Sequence, residues 1–135
     1  VFKKEENVGA VGPSTNHCGS SQSVKNIPKK YSIVDFEKEY GKKQQLSGFC
    51  LLFPRRVWTL VGGFDERFSH YAGENEFLHR VQKSGFRTLW RKDAYVYHYG
   101  EASGKKLAEE EGFNIAKQRE VGRNLYLEEV KKHEN

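Results

Sequence analysis

Apolar residues come in short bursts along this chain, and the spacing of each burst predicts a different element. "VFKKEEN" (1–7) reads as the end of a helix. "VGAV" (8–11) reads as a short buried strand stopped by Gly12-Pro13. The polar stretch "STNHCGSSQSVKNIPKK" (14–30) has no periodicity, and loops of such length in compact domains are usually functional or disordered. Ser32 with Asp35 resembles a capping box, opening a short helix that Gly41 ends. The run "LSGFCLLF" (46–53) predicts a strand buried on both faces. Pro54 then opens a helix, "PRRVWTLV", ended by Gly62-Gly63.

After an aromatic and charged loop, Phe77, Leu78 and Val81 recur at helical spacing over 74–84, with Gly85 as the cap. "FRTLW" and "AYVYH" predict two strands separated by "RKD". From about Lys105 a charged helix follows, with Val121, Leu125 and Val130 on one face. Strands alternating with helices predict an α/β fold with a mixed, partly parallel sheet flanked by helices.

Composition narrows this picture only slightly. The 135 residues suit one domain, and 36% hydrophobic content is enough for a core. No apolar run approaches the ~20 residues that span a bilayer, and no signal peptide is visible. Lys and Arg outnumber acids by 23 to 18, a formal charge of +5 that favours anionic partners. Cys18 and Cys50 have neither metal-site spacing nor a disulfide framework, so a reducing, cytoplasmic setting is expected. The chain opens on Val1 and holds no methionine, which reads as a segment of a longer protein.

Three polar clusters fall at predicted strand ends: "GPSTN", "YAGENEF" and "YHYGEASGKK". In open α/β sheets, ligands bind beyond the carboxyl ends of strands. Glu74, Asn75 and Glu76 at a helix start have two readings: carboxylates complementing the helix dipole, or one carboxylate facing a cleft to take a proton. His98 is either an ordinary strand-end histidine or a metal ligand whose companions lie elsewhere. Lys105 and Lys106 read as cover for a diphosphate or as a solvated helix start.

In order along the chain, "VGAVGPSTN", "SGFCLLFPRRVWTLVGGFDERF", "GENEFLHRVQKSGFRTLW" and "DAYVYHYGEAS" resemble the C-terminal half of the family 2 glycosyltransferases, especially the rhamnosyltransferase-like branch. The resemblance covers about residues 5–104. It implies the acceptor-side portion of a GT-A fold over 1–104, with 105–135 as a helical extension. It also implies inverting transfer of a sugar from a nucleotide-sugar donor to a glycan, lipid-linked or protein acceptor, as in polysaccharide biosynthesis. A divalent metal, Mn²⁺ or Mg²⁺, would stabilise the departing diphosphate.

Counting back from "KSGF", the resemblance puts Glu74 at the catalytic base and Glu76 at the later acid of the motif; a one-residue slip would put Asn75 at the base. Glutamate stands where the family has aspartate, and Gly73 where it has glutamate. His98 falls on the metal-associated histidine, Ser103 and Lys105 in the mobile loop after it, Ser14 and Asn16 in a loop near donor or acceptor, and Gly48 on a close-approach glycine. The family's Asp-x-Asp motif is absent from the chain, so these 135 residues alone are expected to be inactive and to bind metal and donor weakly. An exposed sheet edge at 8–11 is expected to favour a homodimer. The inner face of the membrane is a second expected location. The alternatives are a basic nucleic-acid-binding module, disfavoured because acids interleave with the bases, and a noncatalytic α/β interaction domain.

Overall fold

The computed structural model describes residues 1–41, 44–100 and 102–132. Its sheet has three strands in the order β1-β3-β2. β1 (Val8–Ser14) runs parallel to β3 (Arg87–Tyr95), and β2 (Ile33–Asp35) pairs antiparallel with β3. The fold is therefore mixed α/β. Residues 1–7 form turns rather than a helix, with Lys4 and Glu5 both donating to the Val1 carbonyl.

β1 continues through Gly12-Pro13, where the sequence predicts a stop. Proline cannot donate to a ladder, but β1 lies at the edge of the sheet, where that donor is not needed. The Pro13 carbonyl instead accepts from Gln22 Nε2 at 2.8 Å. The open edge expected at 8–11 is covered. All seven residues of β1 are buried, and Val11 exchanges two backbone hydrogen bonds with Leu52, at 2.8 and 2.9 Å.

"FRTLW" and "AYVYH" form one strand rather than two, and the "RKD" interruption survives as an irregularity. Pro13 lies opposite Arg91, but Ser14 lies opposite Tyr95. Arg91 grips Asp93 across this irregularity at 2.6 Å, and Asp93 accepts from the Ser32 backbone N–H. The Arg91 hydrogen bond holds the Asp93 carboxyl well below the usual carboxylate range. This pairing moves the helix cap: Asp35, not Ser32, caps α1 (Phe36–Tyr40) by accepting from the Lys38 N–H.

Residues 46–53 are not a doubly buried strand, because their apolar side chains serve different neighbours. Leu46 enters the core, Phe49 stacks on His98, Phe53 stacks on Trp58, and Leu52 is exposed. α2 (Arg55–Val61) and α3 (Gly73–Lys83) follow. Phe77, Leu78 and Val81 of α3 join Ala10, Phe36, Leu46, Val57 and Trp90 in the main core.

α4 (Ala102–Glu111) begins three residues before Lys105, and α5 (Ile115–Lys132) packs on α3. The face of α5 is rotated from the expected one: Val121 is exposed, whereas Gly122 is buried against the Tyr71 backbone carbonyl. Arg67 ties the 64–72 loop to α5 through Glu129 at 2.9 Å, and with Lys132 it draws the Glu129 carboxyl down to about 2. Among the described residues no helix is long and apolar enough to cross a membrane.

Candidate functional site

α3 starts without a side-chain cap, from Ala72 in the left-handed region at φ 67°. That conformation costs an alanine about 1–2 kcal/mol, so the surroundings over-determine it. The turn aims the first residues of α3 into a crevice. Two positions apart on a helix is about 200° of rotation, so Glu74 and Glu76 face opposite ways.

Glu74 lies against Gly48, where a Cβ would come within 2.9 Å of Glu74 Cγ. Glu76 is buried and bidentate to Arg80, at 2.6 and 2.7 Å. Arg80 in turn donates to the backbone carbonyls of Val61, Gly62 and Gly63, the free acceptors past the C-terminus of α2. Glu76 thus belongs to a knot between helices and does not line the crevice, contrary to a ligand-binding role.

His98 lies just beyond the carboxyl end of β3, beside the residues that follow the parallel strand β1. Asn16 fixes its backbone from both sides: Oδ1 accepts from His98 N–H at 2.7 Å, and Nδ2 donates to His98 O at 3.0 Å. The His98 Nδ1 meets the His17 carbonyl oxygen at 2.6 Å. A carbonyl only accepts, so Nδ1 carries a proton, and in the neutral tautomer this selects, Nε2 is the acceptor. The ring stacks with Phe49, with centroids 5.3 Å apart, and with His17, at 6.3 Å.

Glu74 and His98 open onto one crevice with two lobes. The larger, about 820 Å³, is aromatic, with Phe49, Phe64, Phe68, Tyr97 and Tyr99 in its wall. The smaller, about 390 Å³, is polar, with His17, Cys18, Gln44, Asn75 and Arg119. Glu74, His98, Ser47, Tyr71 and Gly100 belong to both, so the carboxylate and the imidazole stand where the lobes meet.

The remaining predicted residues divide. Gly48 and Ser103 line the aromatic lobe, Ser103 from the first turn of α4 rather than from a loop. Lys105 is exposed on α4 and lines neither lobe. Ser14 is fully buried, its hydroxyl donating to the Lys92 carbonyl and accepting from Trp90 Nε1, so it supports the sheet and is closed to a ligand. Asn16 acts on the site through His98.

Sequence reasoning missed Gln22, which is fully buried. Its Nε2 holds Pro13, and its Oε1 accepts from the Ser47 N–H at 2.7 Å, which pins the shelf on which Glu74 rests. Nothing in the polar run 14–30 distinguishes it from its neighbours. Arg119 and Tyr71 were missed as well, and only the alternation of Tyr97 and Tyr99 around His98 was a usable signal.

A divalent metal would find one well-prepared ligand here, the Nε2 of His98, with its Nδ1–H held by a backbone carbonyl as metal-bound imidazoles require. Among the described residues no group of three His, Cys, Asp or Glu side chains is placed to hold an ion. These residues therefore do not make a metal site by themselves.

The chain is 39% identical over 54 residues to an N-acetylglucosaminyl-diphospho-decaprenol L-rhamnosyltransferase in each of two strains of Mycobacterium tuberculosis, CDC 1551 / Oshkosh and ATCC 25618 / H37Rv. The match takes in 40% of this chain and 18% of each relative, so the chain spans less than a fifth of the length of the curated relatives it matches. Partial similarity to a glycosyltransferase is thus established. No family model matches the chain, and no solved structure does.

Proposed function

We propose that this chain carries the acceptor-side, base-bearing part of an inverting glycosyltransferase, with a GT-A fold completed by sequence outside these 135 residues. The donor is a nucleotide-sugar of the rhamnose type, and the acceptor is a sugar borne on a lipid diphosphate, as in the names of the two relatives. The observation that carries the reading is the meeting of Glu74 and His98 at the junction of two lobes, one aromatic and one polar.

Glu74 accepts the proton of the acceptor hydroxyl as that oxygen attacks the anomeric carbon. The bond from that carbon to the diphosphate breaks on the opposite face, and the nucleotide leaves with the electron pair. Aromatic walls suit the apolar faces of sugar rings, which assigns the acceptor to the larger lobe. His98 presents Nε2 toward the diphosphate side, where Mn²⁺ or Mg²⁺, when bound, would neutralise the developing charge. Asn16, His17 and Phe49 hold the imidazole in place, and the Gly48 backbone lies against the Glu74 side chain.

The test is release of nucleoside diphosphate from a nucleoside-diphospho-rhamnose by the full-length protein, with lipid-linked N-acetylglucosamine and Mn²⁺ present. Glu74→Gln is expected to lower turnover by ~10²–10⁴ while donor binding persists. Unchanged turnover in that variant would overturn the assignment of the base.

A further inference from the structure

We infer that Tyr97 and Tyr99 form a platform in the larger lobe that takes one face of an uncharged sugar ring of the acceptor and turns away anionic sugars. That role rests on the proposed glycosyl transfer, and it names the residues that choose the acceptor. Tyr99 is 84% exposed and Tyr97 59%, yet both line the lobe. Their rings therefore offer apolar surface to whatever enters beside Glu74.

The backbone sets the pair. The Val96 N–H donates to the Ser14 carbonyl at 3.0 Å, and Asn16 grips both peptide groups of His98 as a neighbouring strand would. Residues two apart in extended chain share a side. The Tyr97 and Tyr99 rings accordingly meet, with centroids 4.9 Å apart and planes at 73°. Such an edge-to-face pair leaves ring faces open. Other rings of the lobe are already occupied: Phe49 by His98, Phe64 by Trp58 and Phe77, and Tyr71 by the Arg119 guanidinium.

The charge of the wall says what sits there. Among the described residues no lysine or arginine lines this lobe, although the chain carries 23, and its acid is Glu74. Arg119 lines the smaller lobe instead. An anionic group in the larger lobe would meet a carboxylate with no lysine or arginine to offset it. A hydrocarbon chain fits no better, because it would strip water from Glu74, Ser103 and the tyrosine hydroxyls and give them no partner. A pyranose meets both demands: its C–H face lies on an aromatic ring, and its hydroxyls reach the polar groups at the edge.

The experiment gives the full-length protein methyl N-acetylglucosaminide or its sulfate ester, and reads binding by NMR saturation transfer from protein aromatic protons to the sugar. Expected is transfer to the neutral glycoside, with the sulfate ester bound about tenfold more weakly. Tyr99→Ala is expected to weaken glycoside binding and raise the acceptor KM about tenfold, with the donor KM unchanged. Tyr97→Ala is expected to act in the same direction. Tyr99→Phe should keep most of the binding, because the ring carries the contact. Both side chains are exposed, so the circular dichroism of every variant should match that of the parent.

Equal or tighter binding of the sulfate ester, no binding of the glycoside, or full binding after Tyr97→Ala and Tyr99→Ala are combined would each overturn the proposal. So would tighter binding of an uncharged isoprenol at the same tyrosines, since the wall would then hold a hydrocarbon chain. Sugar transfer is measured separately. Transfer whose acceptor KM ignores both tyrosines sinks the platform alone, and tyrosine-dependent glycoside binding without transfer sinks the enzymatic reading alone.

Discussion

Glu74 and Glu76 sit two residues apart on the first turn of α3, yet they inhabit unlike surroundings. Glu76 is buried, its two oxygens taken by Arg80, which is itself spent on the carbonyls that end α2. Glu74 faces the crevice with a glycine backbone at its flank and the imidazole of His98 sharing its walls. Half a helical turn thus separates a carboxylate that holds the fold together from one that is left available. The lesson is that a pair of acids in a motif is not a pair of roles. What each can do depends on what already occupies its oxygens.

The comparison breaks most sharply under paired substitutions. Glu74→Gln is expected to remove turnover by ~10²–10⁴ with little change in denaturant midpoint. Glu76→Gln should do the reverse, costing about 1–3 kcal/mol in urea unfolding because it leaves Arg80 short of its charge partner. Loss of stability in the first variant, or none in the second, would undo the contrast.

Gly48→Ala comes next. Its new Cβ must displace Glu74 or the 47–49 backbone, since 2.9 Å to Glu74 Cγ is closer than real contacts allow. Turnover should fall by about tenfold, with donor affinity retained, as expected when a reacting group is moved by a fraction of an ångström. Asn16→Ala should cost about 1 kcal/mol by removing both hydrogen bonds to the His98 backbone, and the imidazole resonances of His98 should broaden in NMR spectra.

The smallest effect is expected at the exposed tie between Arg67 and Glu129. The Glu129 carboxyl is lowered from an ordinary 4.5 to about 2, so its stabilising contribution is present above 4.5 and is lost as pH falls toward 2. Acid unfolding followed by circular dichroism should show a weak slope in that window, which Glu129→Gln flattens.

Much of the architecture was legible because helices announce themselves by periodicity and caps: α3 was bounded within a residue or two by Phe77, Leu78, Val81 and Gly85. Strands were read less well. Pro13 predicts a strand end because sequence does not reveal which strand lies at an edge, the position that makes a proline harmless. The 46–53 run misled for a different reason. Its residues are apolar because they serve the core, the crevice and α2 in turn, and a linear pattern cannot distinguish several destinations from one. Glu74, His98 and Gly48, named from a resemblance in motif, do line one crevice, which is as far as the structure speaks of them. Gln22 and Arg119 came from no local pattern, since the fold brings them in from distant segments.

Gly122 on α5 rests on the carbonyl of Tyr71, whose residue stands in both lobes of the crevice. The distance between the last helix and that wall is therefore gauged by a single hydrogen atom. Any bulkier residue would act as a wedge, prising the helix from its seat and spreading the two lobes whose shared wall Tyr71 forms.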